Sequence, residues 1–205
     1  MLSTVQFNHN DTALLWMAGS AKAEWFRSHR WPNTKTPKLA SYNLTPDEEQ
    51  HYMQFIGLAG EAAIHRILYG DLHRFWIAQG LQQKSHRGDG GNDLPGLDIK
   101  CADMIGGKVP NLLIQAKLIK PETIYILAIA AVDEPKKPEL LEVKVLGCIR
   151  GSSARVHGSI VEFHYLNYLV SAEQLTPIDV LKWPELAGDQ QLQFADCSPH
   201  AQDGV

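Results

Sequence analysis

Apolar and polar positions along the chain divide it into helical and extended stretches. Residues 11–28 carry Leu14, Leu15, Met17, Ala18, Ala21 and Trp25 at helical spacing, with Asp11 placed to cap the first turn. Trp16, Trp25, Phe26 and Trp31 cluster here, as core aromatics or as base-stacking platforms. The segment to Tyr42, with Pro32 and Pro37 and few apolar residues, reads as a loop. Thr45-Pro46-Asp47-Glu48 then combines an N-cap, a proline suited to the first turn and the acid of a capping box. The helix it opens runs to Leu68 or Tyr69, with Met53, Ile56, Gly60, Ile64 and Ile67 on its core face. Residues 70–83 continue as short helix or loop.

After a polar, glycine-rich run, Leu97 and Ile99 alternate with Asp98 and Lys100, a strand period that sends the charged pair to one face. Asn111–Leu118 reads as another strand, with Leu113, Gln115 and Lys117 on one face. Thr123–Val132 is almost continuously apolar, as a central strand buried on both faces should be. Leu140–Ile149 alternates again, Ser152–Gly158 reads as a loop, Ser159–Val170 as extended, and Ala172–Leu181 as a short helix broken by Pro177. These elements predict an α/β fold: a mixed central sheet of four to five strands flanked by helices. Residues 1–183 form one domain with a helical segment over 1–44, and 184–205 form an acidic, flexible tail.

Composition changes this picture little. A 44% hydrophobic content with 20% charged residues is that of an ordinary globular domain. Three widely spaced cysteines, Cys101, Cys148 and Cys197, lack a C-x-x-C pattern and read as reduced thiols in the cytoplasm. No apolar run is long enough to span a membrane. The apolar stretch Thr12–Ala18 is preceded by no Lys or Arg, which argues against a signal peptide. The net charge of −4 comes from the end of the chain. No Lys or Arg follows Lys182, and the four acids beyond it leave a body with nineteen acids and nineteen bases. Lys22, Arg27, Arg30, Lys35 and Lys38 face only Glu24 in their segment, a basic patch able to track a phosphate backbone or a merely solvated surface.

Candidate chemistry lies in Gly88-Asp89-Gly90-Gly91-Asn92-Asp93-Leu94-Pro95-Gly96-Leu97-Asp98-Ile99-Lys100. Pro95-Gly96 marks a tight turn, which brings Asp93 within one strand spacing (~4.8 Å) of Asp98. Carboxylates that close repel unless a cation sits between them. A hard divalent cation such as Mg²⁺ takes oxygen ligands and often only one or two protein carboxylates. The glycine-rich loop lacks the Gly-Lys-Ser/Thr ending of a nucleotide-binding P-loop, and Arg87 within it suits a phosphate contact. Glu61 lies beside the apolar stripe of its helix, near Gly57 and Gly60; it is either a surface residue at the stripe boundary or a carboxylate reaching a site beneath. The two glycines imply close packing there. His65, one turn on, reads as structural.

The order helix with Glu61, glycine-rich loop, Asp93, Asp98-Ile99-Lys100, then a strand with Gln115-Ala116-Lys117 resembles the PD-(D/E)xK nuclease superfamily over roughly residues 45–170. Two features depart from that pattern. Pro95 follows Asp93 instead of a proline preceding it, and the gap to Asp98 is short, which makes Asp89 a rival for the first Asp. The resemblance implies a restriction-endonuclease-like fold and Mg²⁺-dependent cleavage of DNA, with Mn²⁺ able to substitute. It implies that Asp93, Asp98 and the Ile99 carbonyl ligate the metal, and that Glu61 binds a second ion or holds a water on the first. Lys100 would act on the water or the phosphate, with Gln115, Lys117 and Arg87 positioning the phosphate. The same resemblance admits a homodimer, and it admits a non-catalytic module that only binds nucleic acid or protein.

Overall fold

The computed structural model describes residues 3–28, 42–85, 93–103, 108–162 and 165–178. In chain order the elements are β1 (Ser3–Phe7), α1 (His9–Ser28), α2 (Pro46–Tyr69), α3 (His73–Ser85), β2 (Leu97–Asp103), β3 (Leu112–Gln115), β4 (Ile124–Val132), β5 (Leu141–Arg150), α4 (Gly151–His157), β6 (Ser159–Glu162) and β7 (Leu166–Val170), then a 3-10 turn, Ala172–Gln174. The architecture is mixed α/β, as expected. Four strands form the central sheet in the order β1-β5-β4-β2, with β2 parallel to β4 and the other pairs antiparallel.

The sheet is covered on both faces, and β4 shows why its sequence is apolar throughout. Ile124, Ile126, Ala128 and Ala130 pack toward α2, whereas Tyr125 and Leu127 pack with Leu112, Ile114, Ala154 and Val170 of the other layer. That second layer is a small sheet, β3-β7-β6, together with α4.

The start of α2 is the predicted capping box. The Glu48 N–H donates to Thr45 Oγ1 (3.3 Å) and the Thr45 N–H to Glu48 Oε2 (2.7 Å). Its middle, residues 58–65, is buried because α1 and α3 lie on one side and β2 on the other. At Gly60 a Cβ would overlap the Cys101 side chain on β2, so the glycine sets a close approach of helix to strand. At Gly57 nothing lies within 4 Å, and the packing expected there is absent.

Several expectations are corrected. The cap of α1 is Asn8, whose side chain accepts the Asp11 N–H (2.9 Å); Asp11 instead pairs with Arg66 (3.3 Å). The buried stripe of α1 is Thr12, Leu15, Gly19 and Ala23, while Leu14 and Met17 are exposed. The cause is Gly19, where the backbone of Phe55 lies 2.9 Å from a notional Cβ and fixes which face meets α2. Ser152–Gly158, read as a loop, is mostly the helix α4, held by the buried Ala154. The extended stretch Ser159–Val170 is two antiparallel strands. The short strand β1 was not foreseen. The expected helix at Ala172–Leu181 is reduced to the 3-10 turn within the described residues, after which Thr176 bridges to Cys148. The loop before Tyr42, the Arg87 and Asp89 segment and the tail from residue 184 lie outside the described residues. Among the described residues no helix is long and apolar enough to cross a membrane.

Candidate functional site

The turn before β2 creates the site. Leu94-Pro95-Gly96-Leu97 closes on itself, with the Leu97 N–H donating to the Leu94 carbonyl at 2.9 Å and the Leu94 N–H to the Leu97 carbonyl at 3.3 Å. Gly96 has φ +74°, the left-handed conformation a type II turn needs after proline. The reversal returns Asp93 alongside β2, where its Oδ2 accepts the Ile99 N–H at 2.6 Å.

Among the described residues β2 pairs with β4 on one side only, so this bond lies on its outer edge. A strand residue points its N–H and C=O to the same side. The Ile99 carbonyl therefore faces the same edge as the Asp93 carboxylate.

The helical layer and the central sheet meet at that edge. Leu97 and Ile99 pack against Ile64 of α2, so Asp98 and Lys100 face the opposite layer, where Asp98 stands opposite Tyr125 in register. Asp98 is buried, and the Lys100 ammonium reaches its Oδ1 at 2.5 Å while the lysine side chain remains about half exposed. Glu61 comes from the helical side and is also buried. Its Oε2 accepts from Gln79 Nε2 of α3 at 2.8 Å, and its Oε1 lies 3.9 Å from Lys22 Nζ of α1.

The electrostatics register this gathering in Asp93. Its carboxyl is pushed up to about 8, first by burial, then by the charge of Glu61, with Asp98 adding to it and Lys100 opposing. Among these described residues Lys22 lies beside Glu61 and Lys100 beside Asp98. The donors are carboxylate and carbonyl oxygens, the set a hard divalent ion prefers. No three acidic, His or Cys side chains among the described residues are grouped so that they could hold a metal ion.

The sequence-predicted residues thus divide. Glu61, Asp93, Asp98, Ile99 and Lys100 are brought together. Gln115 and Lys117 are not placed beside them on a strand of the central sheet. β3 pairs with β7, and the chain turns after Gln115, with the Leu118 N–H bonded to the Gln115 carbonyl at 3.0 Å. This rotates Lys117 out of the expected alternation, and its ammonium lies 4.7 Å from the Tyr165 ring centre. Arg87 and the rival Asp89 lie outside the described residues. His65 is a core residue between Tyr69 and Phe75, and burial pushes it down to about 4.

Lys22 and Gln79 were not anticipated as partners of Glu61. Lys22 was visible only as one member of a basic stretch, and Gln79 had no signal beyond its place in an uncertain helix.

Comparison of the chain with protein-family models, with curated proteins and with solved structures returned no match.

Proposed function

We propose that the protein is a divalent-metal-dependent nuclease that hydrolyses phosphodiester bonds in DNA, on a restriction-endonuclease-like arrangement of sheet and helices. One observation carries this reading. Carboxylates from α2, the pre-β2 turn and β2 approach one strand edge beside a lysine, and burial, with the charges of Glu61 and Asp98 added to it, holds the Asp93 carboxyl far above its ordinary range. Asp93, Asp98 and the Ile99 carbonyl would hold Mg²⁺ or Mn²⁺, with Glu61 reaching the same edge from the helical layer. Such an ion supplies charge neutralisation on the phosphate and acidifies a water it binds.

The chain's own groups do the rest. Lys100 extends from a buried carboxylate to open surface, which suits it to donate to a phosphate oxygen as charge develops there. Gln79 and Lys22 hold Glu61 in its buried position. Asp93 fixes the edge backbone at Ile99, so the carbonyl there keeps its orientation. Cys101 and the buried Cys148 are free thiols and suit work in the cytoplasm.

That no three acidic, His or Cys side chains among the described residues are grouped to hold a metal, and that Gln115 and Lys117 are displaced, favour, as second reading, a module on the same fold that binds DNA without cutting it. Cleavage assays separate the two. Wild type should cut single- or double-stranded DNA in Mg²⁺. Lys100→Ala should lower the rate by about 10² to 10³ while DNA binding in Ca²⁺ is retained. Asp98→Asn should weaken metal binding as well, because an amide is a poorer ligand for a hard cation. Cleavage that survives both substitutions sinks the assignment, and binding without cleavage across several metals selects the second reading.

A further inference from the structure

We infer that the cavity at the end of β5 is a second contact for the DNA backbone, a subsite that takes a phosphate away from the one cut; this rests on the nuclease reading for its partner. The cavity, of about 350 Å³, lies against Ile124 and is lined by Arg150, Ser153, His157, Gln174 and Thr176. Every one of these five polar side chains can donate a hydrogen bond, and no carboxylate is among the lining residues. A cavity that sets a guanidinium and four other possible donors around an apolar floor of Ile124, Cys148 and Ile149 matches a phosphodiester oxygen, which accepts only.

The walls are held before any ligand arrives. Thr176 and Cys148 exchange two backbone bonds of 2.9 Å, and Gln174 Nε2 donates to the His157 carbonyl at 3.1 Å. The Gly151 N–H donates to the Thr123 carbonyl at 2.8 Å, which fixes the start of α4 beside Arg150. Arg150 Nη1 lies 3.4 Å from the Glu122 carbonyl, a long contact that engages one guanidinium nitrogen of a side chain otherwise exposed.

Its position relative to the carboxylates makes the cavity more than a local basic spot. Leu97 is opposite Ile124 in register, and Ile124 is opposite Arg150. Arg150 therefore stands at the same end of the central sheet as Asp98, two strands across, about 10 Å between strand axes, on the face of Ile124 whereas Asp98 is on the face of Tyr125. A backbone passing over this end of the sheet can bring one phosphate to the cavity while another lies at the carboxylates. The cavity would then steady the strand beside the cut.

The test is DNA binding in Ca²⁺ across a series of salt concentrations, with a short duplex and the corresponding single strand as probes. The double variant Arg150→Ala, His157→Ala changes two exposed side chains and should melt like wild type. Its binding should weaken irrespective of sequence, and the slope of log affinity against log salt should become shallower by about one for each phosphate the variant no longer neutralises. Arg150→Lys should keep most of the slope, and Lys144→Ala, elsewhere on β5, should leave it unchanged. A double variant with wild-type affinity and slope overturns the subsite, as does a wild type that binds neither probe. A wild type that binds with the expected salt dependence but does not cleave in Mg²⁺ leaves the subsite standing and removes the nuclease.

Discussion

At the scale of single residues, Asp93 records what its neighbours do. Folding buries its carboxyl beside Glu61 and Asp98, so the folded state holds a proton that the unfolded chain releases near its ordinary value of 3.8. Between that value and about 8 the folded form binds more protons than the unfolded form, so stability falls as pH rises through this window. Removing the carboxylate removes the penalty. Asp93→Asn should therefore melt higher than wild type at pH near 8 in chelator, and the difference should shrink toward pH near 4. Saturating Mg²⁺ should raise the wild-type melting temperature most at the alkaline end, where the carboxylates are charged, and should do little for Asp93→Asn. A wild-type melting curve indifferent to pH and to Mg²⁺ over this range contradicts the electrostatic account of the cluster.

At the scale of elements, α2 decides where Glu61 points, and its two glycines do different things. Gly60 lets the helix settle on Cys101 of β2, whereas Gly57 meets nothing within 4 Å. Gly60→Ala should cost about 1–3 kcal/mol through overpacking. Gly57→Ala should gain up to about 1 kcal/mol through helix propensity. Urea denaturation of the two variants checks both; equal effects of one sign would mean that helix propensity alone governs the position.

The same elements show what the sequence makes legible. The capping box at Thr45 and the unbroken apolar run of β4 are local chemistry with one reading each, and both were placed by it. The face of α1 was not, because Leu14 and Met17 satisfy the helical period while the contact with Phe55 selects Gly19, a residue without a side chain to read. β1 is five residues long and carries only two buried positions, Val5 and Phe7, too few for periodicity to declare. α4 has the serine, arginine and glycine content of a loop and is held as a helix by packing at Ala154. In the site, Asp93, Asp98 and Lys100 were legible because the turn that unites them is local. Gln79 reaches Glu61 from a different helix, and no spacing along the chain announces that. The turn after Gln115 broke the alternation on which the placement of Lys117 depended.

At the scale of the whole molecule, the fold is a sheet whose β2 edge gathers charge from the helical layer and from β2 and the turn before it. α1 and α3 secure Glu61 through Lys22 and Gln79 on one side, and Asp98 and Lys100 look toward the layer of β3, β7 and α4 on the other. That convergence is the central claim, since the charges of Glu61 and Asp98 add to burial in raising the Asp93 carboxyl, and a cation at this edge would let it ionise. The most direct measurement is the anomalous scattering of Mn²⁺ in crystals soaked at alkaline pH, for wild type and Asp98→Asn. The account predicts a peak at the β2 edge within ligand distance of the Asp93 and Asp98 carboxylates and the Ile99 carbonyl, and its loss in Asp98→Asn. A Mn²⁺-saturated wild-type crystal with no peak at that edge, and with the Lys100 ammonium still on Asp98, would contradict it.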